Sequence, residues 1–245
     1  MRPEALLDLF AEAAAAVRAA LGDLEGDDRR ARTDRPGQYA IDLVADRAAL
    51  EVLHRAPVQV VSEESGVSGG GDLVVVIDPV DGSSNAARHL PYWATSICAL
   101  DREGALAALV VNQATGVVTT AVRGGGAFRD GRRVSASAIT RVEDSFVALS
   151  TFPGRVLAWK QFRVLGSCAL ALCDVGAGVF DGYLDAASVH APWDYLGGLL
   201  VCSEAGAVVR DATVRPLEIA DPNARRHLVA AATPALLDEL RPAAG

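Results

Sequence analysis

Residues 73–85 read Leu73-Val74-Val75-Val76-Ile77-Asp78-Pro79-Val80-Asp81-Gly82-Ser83-Ser84-Asn85. The apolar run from Leu73 to Val76, bounded upstream by Gly69 to Asp72, has the pattern of a buried strand. Pro79 disfavours helix at Asp78, so the strand is expected to end extended there. Two carboxylates three residues apart then lead into Gly82-Ser83-Ser84, a turn that can open a helix with a serine as its N-cap. Carboxylates hold hard cations and free helix N–H groups hold anions, so the stretch suits a cation and a phosphate together. The same residue types also suit an ordinary capped turn.

Two further segments weigh against the ordinary turn. Val60-Val61-Ser62-Glu63-Glu64-Ser65 places adjacent acids at the end of another short apolar strand. Pro192-Trp193-Asp194 opens an apolar helical run from Tyr195 to Ala205. Three acidic element ends can converge on one cation cluster, which a solvated surface would not need.

These motifs resemble those of the inositol monophosphatase family. Asp78 to Asn85 is similar to the family signature D-P-[IL]-D-G-T-x-N. Trp193-Asp194-Tyr195-Leu196-Gly197-Gly198, with Glu204-Ala205-Gly206-Ala207-Val208-Val209, resembles W-D-x-A-A-G followed by E-A-G-G-x-V. Ser62-Glu63-Glu64-Ser65 resembles the upstream G-E-E-S element, and Asp42-Leu43-Val44 a still earlier D-x-V-T. The matches keep the family's order and run from about Asp42 to Asp211.

Composition is compatible with that resemblance. A chain of 245 residues, 51% of them hydrophobic, can bury a large core. Length alone permits one domain or two. The net charge of −8 and pI near 5.0 argue against a nucleic-acid backbone as main ligand. An anionic substrate stays compatible, because bound cations reverse the local field. Cys98, Cys168, Cys173 and Cys202 lie in apolar stretches without zinc-type pairing, as buried thiols in a reducing cytoplasm would. Glu4, Asp8 and Glu12 interrupt any signal-peptide core, and no apolar run approaches the ~18 residues of a membrane span. The expectation is a soluble, cytoplasmic protein with neither a nucleic-acid nor a membrane partner.

Leu6, Phe10, Ala13, Val17 and Leu21 mark one face of a first helix. Gly22 to Tyr39 carries many charges along with Gly and Pro and reads as an exposed, mobile loop; the resemblance implies a loop lying over the metal site, and a disordered connector is the alternative. A helix over Leu43–Leu53 and a strand over Val58–Val61 follow. Strands over 95–100, 105–112, 117–123 and 127–129, separated by turn signals, predict an antiparallel meander. Beyond Glu143, strands over 145–150, 180–184, 207–210 and 228–232 alternate with helices over 168–175, 194–204 and 234–240. This patterning supports mixed α and β with two sheets. The resemblance implies more: an α+β fold, a layered α-β-α-β-α sandwich forming one domain over 1–245, with a metal-binding half to about 140 and a second half beyond.

For the site, the resemblance implies two to three Mg²⁺ ions. Glu63 is then the first ligand and Glu64 its outer neighbour, although spacing alone does not choose between them. Asp78 bridges two metals, Val80 contributes its backbone carbonyl, and Asp81 and Asp194 complete the second metal site. A third, weaker ion near Glu63 is expected only from the family. Ser83 stands where the family has threonine and, with Glu63, orients the metal-activated water; both are the expected catalytic residues. Backbone N–H groups of Gly82, Ser83 and Ser84 cradle the phosphate. Gly166, Ser167 and Cys168 resemble the segment lining the leaving-group pocket, bordered also by Asp81 and Asp194. Asp185 matches an acid that contacts a substrate hydroxyl, but it is one methylene shorter than the family's glutamate.

The implied activity is a lithium-sensitive, Mg²⁺-dependent phosphomonoesterase acting on a small polyol or amino-alcohol phosphate such as inositol 1-phosphate. Histidinol phosphate, fructose 1,6-bisphosphate and a nucleotide 3′-phosphate are the alternatives on the same site, and a non-catalytic regulatory protein is the alternative of another class. The span from Asp185 to Asp194 is about two residues longer than in animal relatives. His190, within it, reads first as a surface histidine and second as a substrate contact. His54, His89 and His227 carry no motif. A small phosphate ester is the expected ligand, and a homodimer is expected from the family.

Overall fold

The computed structural model describes all residues except 23, 25, 244 and 245, and leaves out the side chain of residue 27. Helix α1 (Pro3–Gly22) is followed by a short α2 (Gly26–Arg30) and by α3 (Ala40–Leu53). Strands β1 (Val58–Ser62), β2 (Gly66–Gly69) and β3 (Leu73–Asp81) lead into α4 (Ser83–Ala87). The meander is β4 (Ala94–Asp101), β5 (Gly104–Asn112), β6 (Val118–Val122), β7 (Gly126–Arg129) and the two-residue β8 (Arg132–Arg133). Then come β9 (Phe146–Leu149), β10 (Gln161–Arg163), α5 (Cys168–Gly176), β11 (Gly182–Leu184), α6 (Pro192–Glu204), β12 (Val208–Asp211), β13 (Leu228–Ala231) and α7 (Pro234–Leu240).

The first sheet has eight strands in the order β2-β1-β3-β4-β5-β6-β7-β8, and the second has five in the order β10-β9-β11-β13-β12. Helices α1 and α3 cover one face of the first sheet through Phe10, Val17, Ile41 and Ala45, which meet Val75, Ile77 and Leu109. Helices α5 and α6 are apolar nearly all round because they lie between the two sheets, where a one-sided stripe would not suffice. Helix α7 packs Leu236, Leu237 and Leu240 on the outer face of the second sheet, against Val147, Leu184 and Val229. The result is the layered α-β-α-β-α arrangement of an α+β fold.

Three local expectations are corrected. Strand β3 does not end at Asp78 but runs on to Asp81, through a register shift against β4 between those two acids. The N-cap of α4 is Gly82 at φ 91°, and not a serine. The 22–39 segment carries α2 and a bridge between Arg32 and Tyr39, so it is only partly an exposed loop. Arg29 donates to Ala86 O at 2.8 Å and Tyr39 is buried, which ties the segment to α4. Residues 23 and 25 of that expectation lie outside the described residues. Edge strands β2 and β10 were not anticipated. Their sequences, Gly66–Gly69 and Gln161–Arg163, are too short and polar to announce a strand.

Candidate active site

The register shift in β3 is what assembles the acids. Along an uninterrupted strand, Asp78 and Asp81 would point to opposite faces. With the extra residue of a bulge, Ile77 and Val80 both enter the core under α1 and α3, while both acids face α5 and α6. Val80 N–H donates to Asp78 Oδ1 at 2.9 Å, and Thr95 Oγ1 donates to Pro79 O at 2.9 Å, which pins the bulge on both sides.

Glu63 leaves the end of β1 beside β3, with its N–H on Ile77 O at 3.3 Å. Asp194 sits in the first turn of α6, where Pro192 opens the helix and Asp194 Oδ2 accepts the Ala191 N–H at 2.7 Å. One carboxylate oxygen from each of Glu63, Asp78 and Asp194 lies within 4.8 Å of the others. Adjacent Glu64 turns away: its carboxylate accepts from Gln38 Nε2 and lies 3.5 Å from Arg35. Asp81 borders the cluster but is committed to α5, accepting from Ser167 Oγ at 2.5 Å and from the Ala169 N–H at 2.7 Å.

The electrostatics follow from crowding. Burial, then Asp194 and Glu64, push the Glu63 carboxyl up to about 8. Burial and the neighbouring Glu63, Asp81 and Asp194 raise Asp78 well above the carboxylate range. Burial and Asp194 raise Asp81 to about 6 against the opposing hydrogen bond from Ser167. Burial and mutual repulsion dominate at Glu63 and Asp78, and His190, 3.5 Å from Asp194, offsets only part of that repulsion. An all-oxygen set suits a hard divalent cation, so the residues present fit Mg²⁺ or a similar ion.

A cavity of about 220 Å³ opens from the acids between β9, α5 and α6, with Asp81, Gly166, Ser167, Cys168, His190 and Asp194 in its wall. A larger cavity of about 480 Å³ lies beside β12 and Leu217, and none of the clustered acids lines it. Gly82 must be glycine: its φ is positive, and a Cβ there would lie 3.0 Å from Gly166 O and 3.2 Å from Tyr92 O. Asn85 closes the same corner by donating from Nδ2 to Tyr92 O and Leu165 O, both at 2.7 Å. Ser83 starts α4, and the Tyr39 hydroxyl donates to Ser84 Oγ at 3.5 Å. Asp42 is the first-turn acid of α3, bonded to the Tyr39 N–H at 2.8 Å, and burial raises it to about 7.

Two placements differ from expectation. Asp185 does not reach the cavity. It is fully buried, with Oδ1 accepting from Ser150 Oγ at 2.8 Å and the Ala187 N–H at 2.9 Å, and Oδ2 has no partner among the described residues. The shortened side chain stops behind Ser150, and it is Ser150 that lines the cavity. His190 is not a surface residue. Its side chain is 12% exposed, with Nε2 at 2.6 Å from the Tyr183 hydroxyl and Nδ1 at 3.5 Å from Asp194 Oδ2. Ser150, Thr151 and Tyr183 also line the cavity, and no motif in the sequence marks them as cavity residues. The available signal was their place at the ends or centre of expected strands, which is weak without the sheet order.

Residues 4–244 match the model of the inositol monophosphatase family. The chain is 36% identical to a fructose-1,6-bisphosphatase/inositol-1-monophosphatase of Archaeoglobus fulgidus over 178 residues, 70% of this chain and 69% of that one. It is 31% identical to the Nus factor SuhB of Escherichia coli over 192 residues, 71% of each. Among solved structures, it resembles an inositol monophosphatase from Anabaena, with a TM-score of 0.80 at 25% identity, covering 98% of this chain and 95% of that one.

Proposed function

Because the chain belongs to the inositol monophosphatase family and is thereby a phosphoric monoester hydrolase, we propose that it is Mg²⁺-dependent and cleaves the phosphate ester of a small polyol or amino-alcohol, of the inositol 1-phosphate kind. The observation that carries this reading is the meeting of Glu63, Asp78 and Asp194, the last of which also walls a cavity together with Asp81. Glu63, Asp78, Asp81, Asp194 and the Val80 carbonyl would hold two ions, with a third near Glu63. When bound, such ions neutralise phosphate charge and lower the pKa of a coordinated water.

The chain's own residues supply the rest. Glu63 accepts the proton of the attacking water, and the Ser83 hydroxyl orients that water. Gly82, Ser83 and Ser84 present backbone N–H groups to the phosphate oxygens, since the first turn of α4 leaves these donors without helical partners. Gly166, Ser167 and Cys168 wall the leaving group, and Ser167 steadies Asp81. Both halves contribute to this one site, so we read residues 1–245 as a single domain, and the working form as a homodimer in the cytoplasm. No helix among the described residues is long and apolar enough to cross a membrane.

Fructose 1,6-bisphosphate is the second reading, favoured by the names of several relatives. Histidinol phosphate and a nucleotide 3′-phosphate complete the substrate panel. A purely regulatory protein would be marked by a lost acid, and Glu63, Asp78, Asp81 and Asp194 are all present. The test is phosphate release from this panel, with Mg²⁺ and with chelator, read as kcat/KM. Turnover should vanish in chelator, return with Mg²⁺, be poorly supported by Ca²⁺, whose coordination is looser, and be inhibited by Li⁺. Undiminished turnover in chelator overturns the reading.

A further inference from the structure

The wall of the 220 Å³ cavity points to the chemistry of the leaving group. We infer that it is a compact ring or chain with an apolar face, in preference to a fully hydroxylated polyol. This rests on the phosphatase reading above and reorders its substrate panel: within the polyol and amino-alcohol class it puts the less hydroxylated amino-alcohol end, such as histidinol phosphate, ahead of inositol 1-phosphate and fructose 1,6-bisphosphate.

Two observations support it. Away from the acids, the wall is made by Leu149, Leu165, Cys168, Ala171 and Val189. The polar side chains interleaved with them already bond one another. Ser150 Oγ donates to Asp185, the Tyr183 hydroxyl pairs with His190 Nε2, and Ser167 Oγ donates to Asp81. Thr151 is the one hydroxyl of the wall, among the described residues, whose side chain has no such partner. Asp185, the acid expected to receive a substrate hydroxyl, is sealed behind Ser150.

A ring carrying five free hydroxyls would therefore lose its water on entering and meet few free side-chain donors, because the hydroxyl protons of Ser150 and Ser167 are already taken and only lone pairs and Thr151 remain open to it. Each buried polar group left unpaired weakens binding. A ring of the same size with an apolar face loses no such bonds and gains contact with the aliphatic wall. Val189, half-exposed at the rim, is a position where this preference can be altered without disturbing a core.

The test compares two non-hydrolysable phosphonates of equal ring size, the cyclohexyl and the myo-inositol analogue, binding to the Mg²⁺-loaded protein by calorimetry. The cyclohexyl analogue should bind at least tenfold tighter, and Val189→Ser should narrow that ratio severalfold. Equal affinities, tighter binding of the inositol analogue, no binding of either, or a ratio unmoved by Val189→Ser would overturn the inference. Hydrolysis of p-nitrophenyl phosphate, measured separately with Mg²⁺ and with chelator, decides the phosphatase reading and does not depend on this ratio.

Discussion

Ser167 Oγ donates a 2.5 Å hydrogen bond to Asp81 Oδ2 across 86 residues of chain, and the same hydroxyl accepts the Leu170 N–H at 3.2 Å as the N-cap of α5. One side chain thus fixes an acid of the site and the helix that walls the leaving-group cavity. Ser167→Ala should cost about 1–2 kcal/mol of stability, the value of a lost cap plus a neglected carboxylate. It should also push Asp81 further up, since that bond opposes the effect of burial. The concentration of Mg²⁺ giving half-maximal activity should then rise, as a metal titration at pH 6 and pH 8 will report.

Asp78→Asn and Asp194→Asn each remove a charge from the cluster while keeping its shape. We expect kcat to fall by about 10²–10⁴, the range for loss of a major electrostatic element. Folding should survive, and the metal-free variants should melt no lower than the parent, because repulsion among the acids is relieved. Near-parental turnover of both variants at saturating Mg²⁺ would show that the site lies elsewhere.

The raised acids give the metal-free protein a defined pH dependence. A carboxyl whose folded pKa exceeds its ordinary value favours the fold below that ordinary value and loses this contribution as pH rises. For Glu63 the window runs from 4.5 to about 8. In chelator, Tm should fall across that window by more than about 3 °C, roughly the equivalent of 1 kcal/mol for a chain of this length. Saturating Mg²⁺ should flatten the curve, and Glu63→Gln should reduce the slope. Thermal melts from pH 4.5 to 8.5 check all three.

Gly82→Ala places a Cβ at φ 91°, 3.0 Å from Gly166 O. Left-handed backbone costs an L-residue about 1–2 kcal/mol, and the contact displaces the loop bearing Ser167. Stability should drop by about 2 kcal/mol in denaturant titration. Activity should fall by at least tenfold, since misplacing the phosphate cradle by about 1 Å costs up to 10²-fold.

Asp211 is the opposite electrostatic case. Burial pushes it up, but Arg215, the His227 N–H and Thr213 together outweigh burial and hold its carboxyl well below the ordinary range. Its stabilisation is therefore present above about pH 4 and lost as pH falls further. Asp211→Ala should cost about 3 kcal/mol at pH 7 and clearly less at pH 3. Equal losses at both pH values would deny the ion pair with Arg215 its role. Activity per folded molecule should stay close to the parent, because Asp211 lies on β12 beside the larger cavity and away from the acids.

Much of the fold is legible locally. The runs at Val58–Val61 and Leu73–Val76, the turn signals from 101 to 126, and the Pro192 helix start are short-range instructions that the structure follows. Helix α3 begins at Ala40, three residues before the expected Leu43, because Asp42 caps its first turn from inside the helix. The β3 bulge was not legible. A Pro in a strand suggests an interruption, but whether the chain ends, kinks or bulges depends on the strand beside it.

By itself the sequence determined that three acidic element ends exist, that they follow apolar strands or open a helix, and that Gly82 sits where the chain must turn. These are properties of neighbouring residues, set by backbone sterics and hydrophobic period. The tertiary structure alone decided between Glu63 and Glu64, which alternate between the acid cluster and Gln38 with Arg35. It also brought Asp78 and Asp81 to one face, sealed Asp185 behind Ser150 and moved His190 from the surface to the cavity wall. The reason is common to all four. A side chain's direction is local, but what it meets depends on which layer covers that face, and the covering layers here are α5, α6 and the second sheet, built from residues far along the chain.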